Sequence, residues 1–308
     1  MIELVAQSES MREAVGLAQR VAPTEANVLI TGESGAGKDA LAGFVHFHSR
    51  RAGQSFVKID CAALSSELLE AELFGYERGA FTGASEAKPG RLEAAHLGTL
   101  VLDEIAYLAN DAQAKLLRVI ETREFERLGG RRTIKVDARL VALTNVDLTQ
   151  AVKRKDFRED LFYRLNVVHI QVPALRQRRE DLAALTNALL VTFGKKHGHP
   201  RLGIAPAALT VLRAYEFPGN VRELANIIER AVIVANGRRV EESDLPDAVR
   251  DAVLLKRRRE QPRTLAQLEA EYVTEVLAAT RGNKTEAARI LGISRKNLYE
   301  RIARLGKE

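Results

Sequence analysis

Tryptophan is absent from this chain of 308 residues, cysteine occurs once, methionine twice and proline only 8 times. The single thiol, Cys61, excludes an internal disulfide, and the 6 histidines show no metal-like spacing to cysteines or carboxylates. Cys61 reads as a small buried hydrophobe. No uninterrupted apolar run approaches the roughly 18 residues a membrane span requires, and Met1-Ile2-Glu3-Leu4 does not open a signal peptide. The expectation is a cytoplasmic protein with no membrane partner. Internal repeats and low-complexity tracts are lacking too. What remains, 46% hydrophobic and 29% charged residues, is the balance of a soluble globular protein with room for two or three domains.

The net charge of +6 is unevenly placed. Residues 256–308 hold 13 Lys or Arg against 7 Asp or Glu and account for all of it, while residues 1–255 hold 34 of each sign. A neutral body with a cationic tail confines contact with a polyanion, either nucleic acid or an acidic surface, to the tail.

Short apolar runs at Val28–Thr31, Phe56–Asp60, Leu100–Leu102, Arg139–Leu143 and Val167–Ile170 read as buried strands. Helical periodicity lies between them, as in Asp111 to Arg123 with Leu116, Leu117 and Ile120 on one side. Alternation of strand and helix over residues 1–172 predicts an α/β unit with a parallel sheet. Over 173–243 the strand signal gives way to helical faces: Leu182, Leu185, Leu189 and Phe193, then Leu209 and Leu212 behind Pro206, then a helix from about Val221 to Gly237. Residues 244–263, with Pro246, Pro262 and the run Lys256-Arg257-Arg258-Arg259, read as a solvated linker, and 264–308 as a last helical module.

Gly32-Glu33-Ser34-Gly35-Ala36-Gly37-Lys38 follows the first strand and precedes a helical stretch, the context of a phosphate-binding loop. Glycines let backbone amides converge on phosphates, the helix start adds partial positive charge, and Lys38 reaches the terminal phosphates of ATP. Asp39 stands where such loops usually carry Ser or Thr, so the Mg²⁺ ligand from the loop would be a carboxylate or a bridging water. The run Leu100–Leu102 ends in Asp103-Glu104. Beside a phosphate loop, Asp103 is expected to hold Mg²⁺ and Glu104 to polarise the water that attacks the γ-phosphate, which implies hydrolysis rather than binding alone. Asn145, after the fourth strand, could orient that water or serve as a turn residue. Arg158 and Arg164 fit either a salt-bridged surface helix or arginine fingers supplied to a neighbouring subunit.

Gly79-Ala80-Phe81-Thr82-Gly83-Ala84 places Phe81 and Thr82 between glycines. Such a tip folds back on itself and exposes its aromatic, which suits gripping another protein when nucleotide chemistry moves the loop. At the other end, Thr285 to Leu291 and Ser294 to Leu305 read as two helices joined at Gly292-Ile293, with Ala288 at the crossing and Ser294 as cap. With Leu298, Ile302 and Leu305 inward, Arg295, Lys296, Asn297, Arg301 and Arg304 are left for a DNA groove and its phosphates. A generic helical hairpin with a solvated basic face has the same pattern, and cation enrichment favours DNA.

These residues resemble the sigma-54-dependent transcriptional activators, or bacterial enhancer-binding proteins, of the AAA+ ATPase superfamily, over essentially the whole chain. The stretch Leu73 to Ala84 is similar to the family's loop that engages sigma-54 on RNA polymerase. Further matches are the phosphate loop, Gly98 to Ile105, Phe157-Arg158 through Tyr163-Arg164, and Phe217-Pro218-Gly219-Asn220-Val221-Arg222-Glu223-Leu224. The resemblance implies an AAA+ P-loop NTPase with a helical lid and a Fis-type helix-turn-helix. Arg158 and Arg164 would be trans-acting fingers, Asn145 the first sensor and Arg222 the second; Arg127 to Asp137 would be a second pore loop moving with the first. An acidic residue at Asp39 is common in the family. Asp60 lies where many members have an asparagine that restrains the catalytic glutamate, so a switch here would pair two acids; Phe217 replaces a frequent tryptophan. The assembly implied is a homo-oligomer, from dimer to hexameric ring, and Leu265 to Thr280 would pair two DNA-binding modules on a palindromic upstream enhancer site. Many relatives begin with a receiver or ligand-sensing domain, which this chain either naturally lacks or has had removed. Two other readings share the scaffold: a DNA-binding regulator without remodelling activity, and a replication-origin binder or helicase loader. Neither accounts for Gly79 to Ala84.

Overall fold

The computed structural model describes residues 4–260 and 264–305, which divide into two compact units, Met1–Pro246 and Asp247–Glu308. The first unit is built on β1 (Val28–Thr31), β2 (Phe56–Asp60), β3 (Thr99–Asp103), β4 (Arg139–Thr144) and β5 (Val168–Gln171). All neighbours run parallel in the order β2-β3-β4-β1-β5, as the alternation of strand and helix predicts. The chain therefore returns to place β4 beside β1, and the carboxyl ends of β1, β3 and β4 adjoin. In open α/β sheets this is where ligand crevices form.

Side chains on successive strand residues face opposite sides, and both sides are covered. Leu29, Leu100, Leu102, Leu140 and Ala142 pack against α3 (Ser66–Phe74), α4 (Asn110–Thr122) and α5 (Glu159–Leu165). Val28, Ile30, Val101, Val141 and Leu143 pack against α1 (Glu9–Val21) and α2 (Lys38–Phe47). Arg139 breaks the apolar pattern of β4. Fully buried, it donates to the carbonyls of Ala22 at 2.5 Å, Val21 at 2.9 Å and Ala26 at 3.3 Å, closing the carboxyl end of α1. Two short antiparallel hairpins rise from the connections, Gly75–Tyr76 with Lys88–Pro89 and Glu124–Glu126 with Thr133–Lys135.

The lid consists of α6 (Asp181–Lys196), α7 (Pro206–Ala214) and α8 (Asn220–Ala235). Leu182, Leu185 and Leu189 are buried, as are Leu212, Leu224, Ile228 and Val232. Asp181, also buried, accepts the amides of Gln7 at 2.6 Å and Ser8 at 2.7 Å and the Ser8 hydroxyl at 3.0 Å, tying the amino-terminal segment to the lid.

In the second unit, α9 (Asp247–Glu260) occupies most of the segment 244–263 expected to be a solvated linker. Pro246 precedes the helix and so removes none of its hydrogen bonds, while Val249 and Val253, four apart and buried, supply an apolar stripe that the basic run obscures in composition. Pro262 lies outside the described residues. The helices α10 (Leu265–Ala279), α11 (Lys284–Ile290) and α12 (Arg295–Leu305) pack around Val273, Val276, Ala287, Ala288 and Leu298. Gly292, at φ +66°, makes the expected turn, and the Ser294 hydroxyl accepts the Asn297 amide at 3.2 Å.

Candidate active site

The phosphate loop joins β1 to α2, with Gly35 and Gly37 at φ +73° and +108°, a region that favours glycine. Lys38 is nearly buried. Its ammonium donates to the carbonyls of Gly32 at 2.8 Å and Glu33 at 3.3 Å and stands 3.8 Å from the Glu104 carboxylate. Burial holds the lysine below its ordinary pKa, against the pull of Glu104, Asp103 and Asp39. Glu104 follows β3 in a left-handed conformation, φ +52°, and accepts the backbone amide of Asn145 at 3.2 Å. It is thus the main chain of Asn145 that touches the predicted base. Lys38, Glu104 and Asn145 come from three adjoining strand ends, as the sheet order requires.

A cavity of about 340 Å³ opens beside the loop. Leu4, Val5, Met11, Leu185, Val221 and Ala225 line an apolar part, and Ser34 to Asp39, Asp103, Glu104, Arg178 and Arg222 line a polar one. This division matches a flat base with an attached polyphosphate. Arg178, buried, donates to the Ala36 carbonyl and, at 3.0 Å, to the Met11 sulfur, so the lid reaches the floor of the loop.

The lid also holds the loop from above. Arg222 donates to the Ser34 hydroxyl at 2.9 Å, and the amides of Val221 and Arg222 donate to the Gly35 carbonyl at 3.0 and 3.3 Å. Asn220 is fully buried at φ +52°; its side chain donates to the Ser34 carbonyl at 3.0 Å and to Glu33 at 3.1 Å, and accepts the Leu175 amide at 2.8 Å. Glu33 completes the junction with the Arg176 guanidinium at 2.5 and 2.7 Å. Those bonds, first Arg176 and then Asn220, hold the Glu33 carboxyl at about 2. Asn220, Arg176 and Arg178 carry no role legible from the sequence alone. The glycine before Asn220 and the basic run Arg176 to Arg179 were the available signals.

Asp39 and Asp103 converge on one point. The Lys58 ammonium bonds Asp103 at 2.7 Å and also Asp39, so the two carboxylates meet at a single cation, as ligands for Mg²⁺ must. Among the described residues no group of three or more His, Cys, Asp or Glu is arranged to hold a metal. Two carboxylates suffice when substrate phosphates complete the shell. Asp60 lies opposite Asp103 in the β2–β3 register, and its carboxylate accepts the Ala62 amide at 2.9 Å. Burial, reinforced by Asp60, Asp103 and Glu104, pushes the Cys61 thiol up to about 12, leaving it an inert core residue.

Arg158 and Arg164 lie outside the cavity of their own chain. Arg158 pairs with Asp160 at 2.8 Å and Arg164 with Glu121 at 3.1 Å, both exposed, which is the arrangement of a salt-bridged surface helix.

The tip Gly79–Ala84 folds back through a Gly79 amide to Ala84 carbonyl bond of 2.8 Å and an Ala84 amide to Phe81 carbonyl bond of 3.0 Å. Gly79 and Gly83 have φ of +82° and +106°, with open space where a Cβ would stand, so their requirement is conformational. Phe81 is 43% exposed, its ring edge-on to Tyr76 at 5.0 Å. The second hairpin is fastened to the first through backbone: the Leu128 amide donates to the Gly75 carbonyl at 2.9 Å, and the Glu77 amide to the Leu128 carbonyl at 3.0 Å. Arg127 adds ion pairs to Glu93 at 2.8 Å and Glu77 at 3.1 Å.

On α12, Arg295, Lys296 and Asn297 are exposed, Arg301 pairs with Glu269 of α10, and Leu298 is buried. The side chains of Arg304 and Leu305 lie outside those described.

Residues 4–171 match the model of the sigma-54 interaction domain, 176–262 that of an AAA+ ATPase lid domain, and 264–305 that of the Fis family of bacterial regulatory proteins. The chain is 44% identical to the regulatory protein AtoC of Escherichia coli K12, over 98% of this chain and 68% of that one. It is 44% identical to the transcriptional regulatory protein ZraR of the same strain over the same shares. Among solved structures, NtrX of Brucella abortus in complexes with ADP and with ATP superimposes with a TM-score of 0.76 at 35% identity, covering 99% of this chain and 70% of that one. Among the described residues no helix is long and apolar enough to cross a membrane.

Proposed function

The chain belongs to the sigma-54-dependent transcriptional regulators, an AAA+ ATPase with a Fis-type helix-turn-helix, and we propose that it hydrolyses ATP to remodel sigma-54 RNA polymerase holoenzyme while held on upstream DNA. The base and ribose fill the apolar part of the cavity, and the amides of Gly32 to Lys38 receive the phosphates with Lys38 and Arg222. Glu104, oriented by the Asn145 amide and by Lys38, polarises the attacking water and takes its proton. Mg²⁺, held by Asp103 and Asp39, would neutralise phosphate charge. Arg158 and Arg164 act on the nucleotide of a neighbouring copy, exchanging Asp160 and Glu121 for phosphate when subunits assemble as a dimer or hexameric ring. Ser294, Arg295, Lys296, Asn297 and Arg301, together with the Arg304 expected from the sequence, serve a palindromic enhancer site, and α10 pairs the two modules.

One observation carries this reading: a half-exposed Phe81 on a glycine-hinged tip whose base is hydrogen-bonded to a second hairpin. Neither a DNA-binding regulator without remodelling activity nor a helicase loader needs that tip. Capture of purified sigma-54 by the chain with ADP and aluminium fluoride tests it. Capture only with that mimic, lost in Phe81→Ala while ATP turnover persists, is expected. Capture by Phe81→Ala equal to wild type rules out the loop's assignment.

A further inference from the structure

The cation at the junction of Asp39 and Asp103 is part of the chain. Lys58 and Asp60 are two apart on the edge strand β2 and so share a face, in register with Val101 and Asp103 of β3. The Lys58 ammonium bonds one oxygen of Asp103 at 2.7 Å and one of Asp39, and the lysine side chain is 38% exposed, free to swing outward. Both of its partners are the residues assigned to Mg²⁺. A divalent ion that binds both carboxylates through these oxygens must therefore displace an ammonium tethered beside them.

We propose that Lys58 is a built-in counter-ion that makes metal binding conditional on nucleotide. Bare divalent ions must compete with the tethered ammonium, because removing Lys58 from two carboxylates leaves it water alone in exchange. Arrival with a polyphosphate changes the balance: the ion comes already coordinated by phosphate, and the added negative charge offers the displaced ammonium an alternative partner. Lys58 is thus a positioning residue, keeping Asp39 and Asp103 converged, despite their like charge and that of neighbouring Asp60, until the metal complex enters. The inference rests on the cavity being an Mg²⁺-nucleotide site.

The test uses Mn²⁺ alone as probe, with free ion counted by electron paramagnetic resonance in titrations of the nucleotide-free full chain. Wild type and Lys58→Arg should bind weakly, whereas Lys58→Met should bind about tenfold more tightly, the scale of two partly exposed ion pairs removed. Lys58→Met should also lose about tenfold in affinity for a fluorescent ATP analogue in EDTA, but little in excess Mg²⁺. Equal Mn²⁺ affinity of wild type and Lys58→Met overturns the proposal. If wild type binds no ATP analogue at all, the nucleotide-site reading itself fails.

Discussion

Replacing Asn220 should uncouple the lid from the phosphate loop. Its side chain makes three hydrogen bonds from a fully buried position, to Leu175, Ser34 and Glu33, each with a net value of about 1 kcal/mol. In Asn220→Ala the buried Leu175 amide is also left without its acceptor, adding about 1 kcal/mol. The backbone contributes again, since φ is +52° and alanine tolerates the left-handed region less well than asparagine, by about 1 kcal/mol. The sum is a loss of about 5 kcal/mol. Asn220→Gly removes the bonds but accepts the conformation, so it should recover about 1 kcal/mol of that loss. Chemical denaturation of the nucleotide-free chain measures both. Because the same residue sets the start of α8, which carries Arg222 to the cavity, affinity for a fluorescent ATP analogue should fall at least tenfold in both variants. Stability of Asn220→Ala within about 1 kcal/mol of wild type, with unchanged nucleotide affinity, would show that Asn220 does not couple the lid to the phosphate loop.

Glu104→Ala should bind ATP as wild type does while turnover falls by about 10²-fold or more, measured as phosphate release; unchanged release rejects Glu104 as the base. Arg158→Ala should lose about 10³-fold in turnover on its own. Mixing it with inactive Glu104→Ala should restore activity, because the latter lends an intact arginine to the former's intact glutamate; a mixture as inactive as its parts excludes action between subunits. The Glu33 carboxyl, at about 2 in the folded chain against an ordinary 4.5, contributes stability that is fully present above about 4.5 and lost as pH falls toward 2. Unfolding midpoints of wild type and Glu33→Gln should accordingly converge across that interval, and a constant gap would show that the Arg176–Asn220 junction is not what depresses the carboxyl.

The strands were legible because each carries an apolar run, a signal held by the residues themselves, although only β1, β3 and β4 are buried along nearly all their length; the edge strands β2 and β5, expected to be buried too, bury Ile59 and Ile170 alone. The phosphate loop was legible for the same local reason: strand, glycines, lysine and helix are consecutive. Asn220 and Lys58 were not. Asn220 matters because residues 34, 175 and 220 meet in space, and Lys58 because β2 lands beside β3 in one register; neither fact is written near the residue concerned. The helix Asp247–Glu260 was missed for the opposite reason, since its local signal was present but outweighed by a conspicuous basic run and two flanking prolines. Asn145, expected to orient the attacking water or to serve as a turn residue, meets Glu104 through a main-chain amide that any residue but proline could supply.

The link between the two hairpins has the same character. Leu128 joins the first hairpin through its amide and carbonyl, to Gly75 and Glu77. Alanine at position 128 would retain both bonds, so an alanine scan of the second loop would pass over this joint and register only the ion pairs of Arg127. Proline at 128 would remove one bond outright. The joint is therefore open to sequence drift around it yet vulnerable to a single substitution type, and a genetic screen for uncoupled loops should return that change where milder ones are silent.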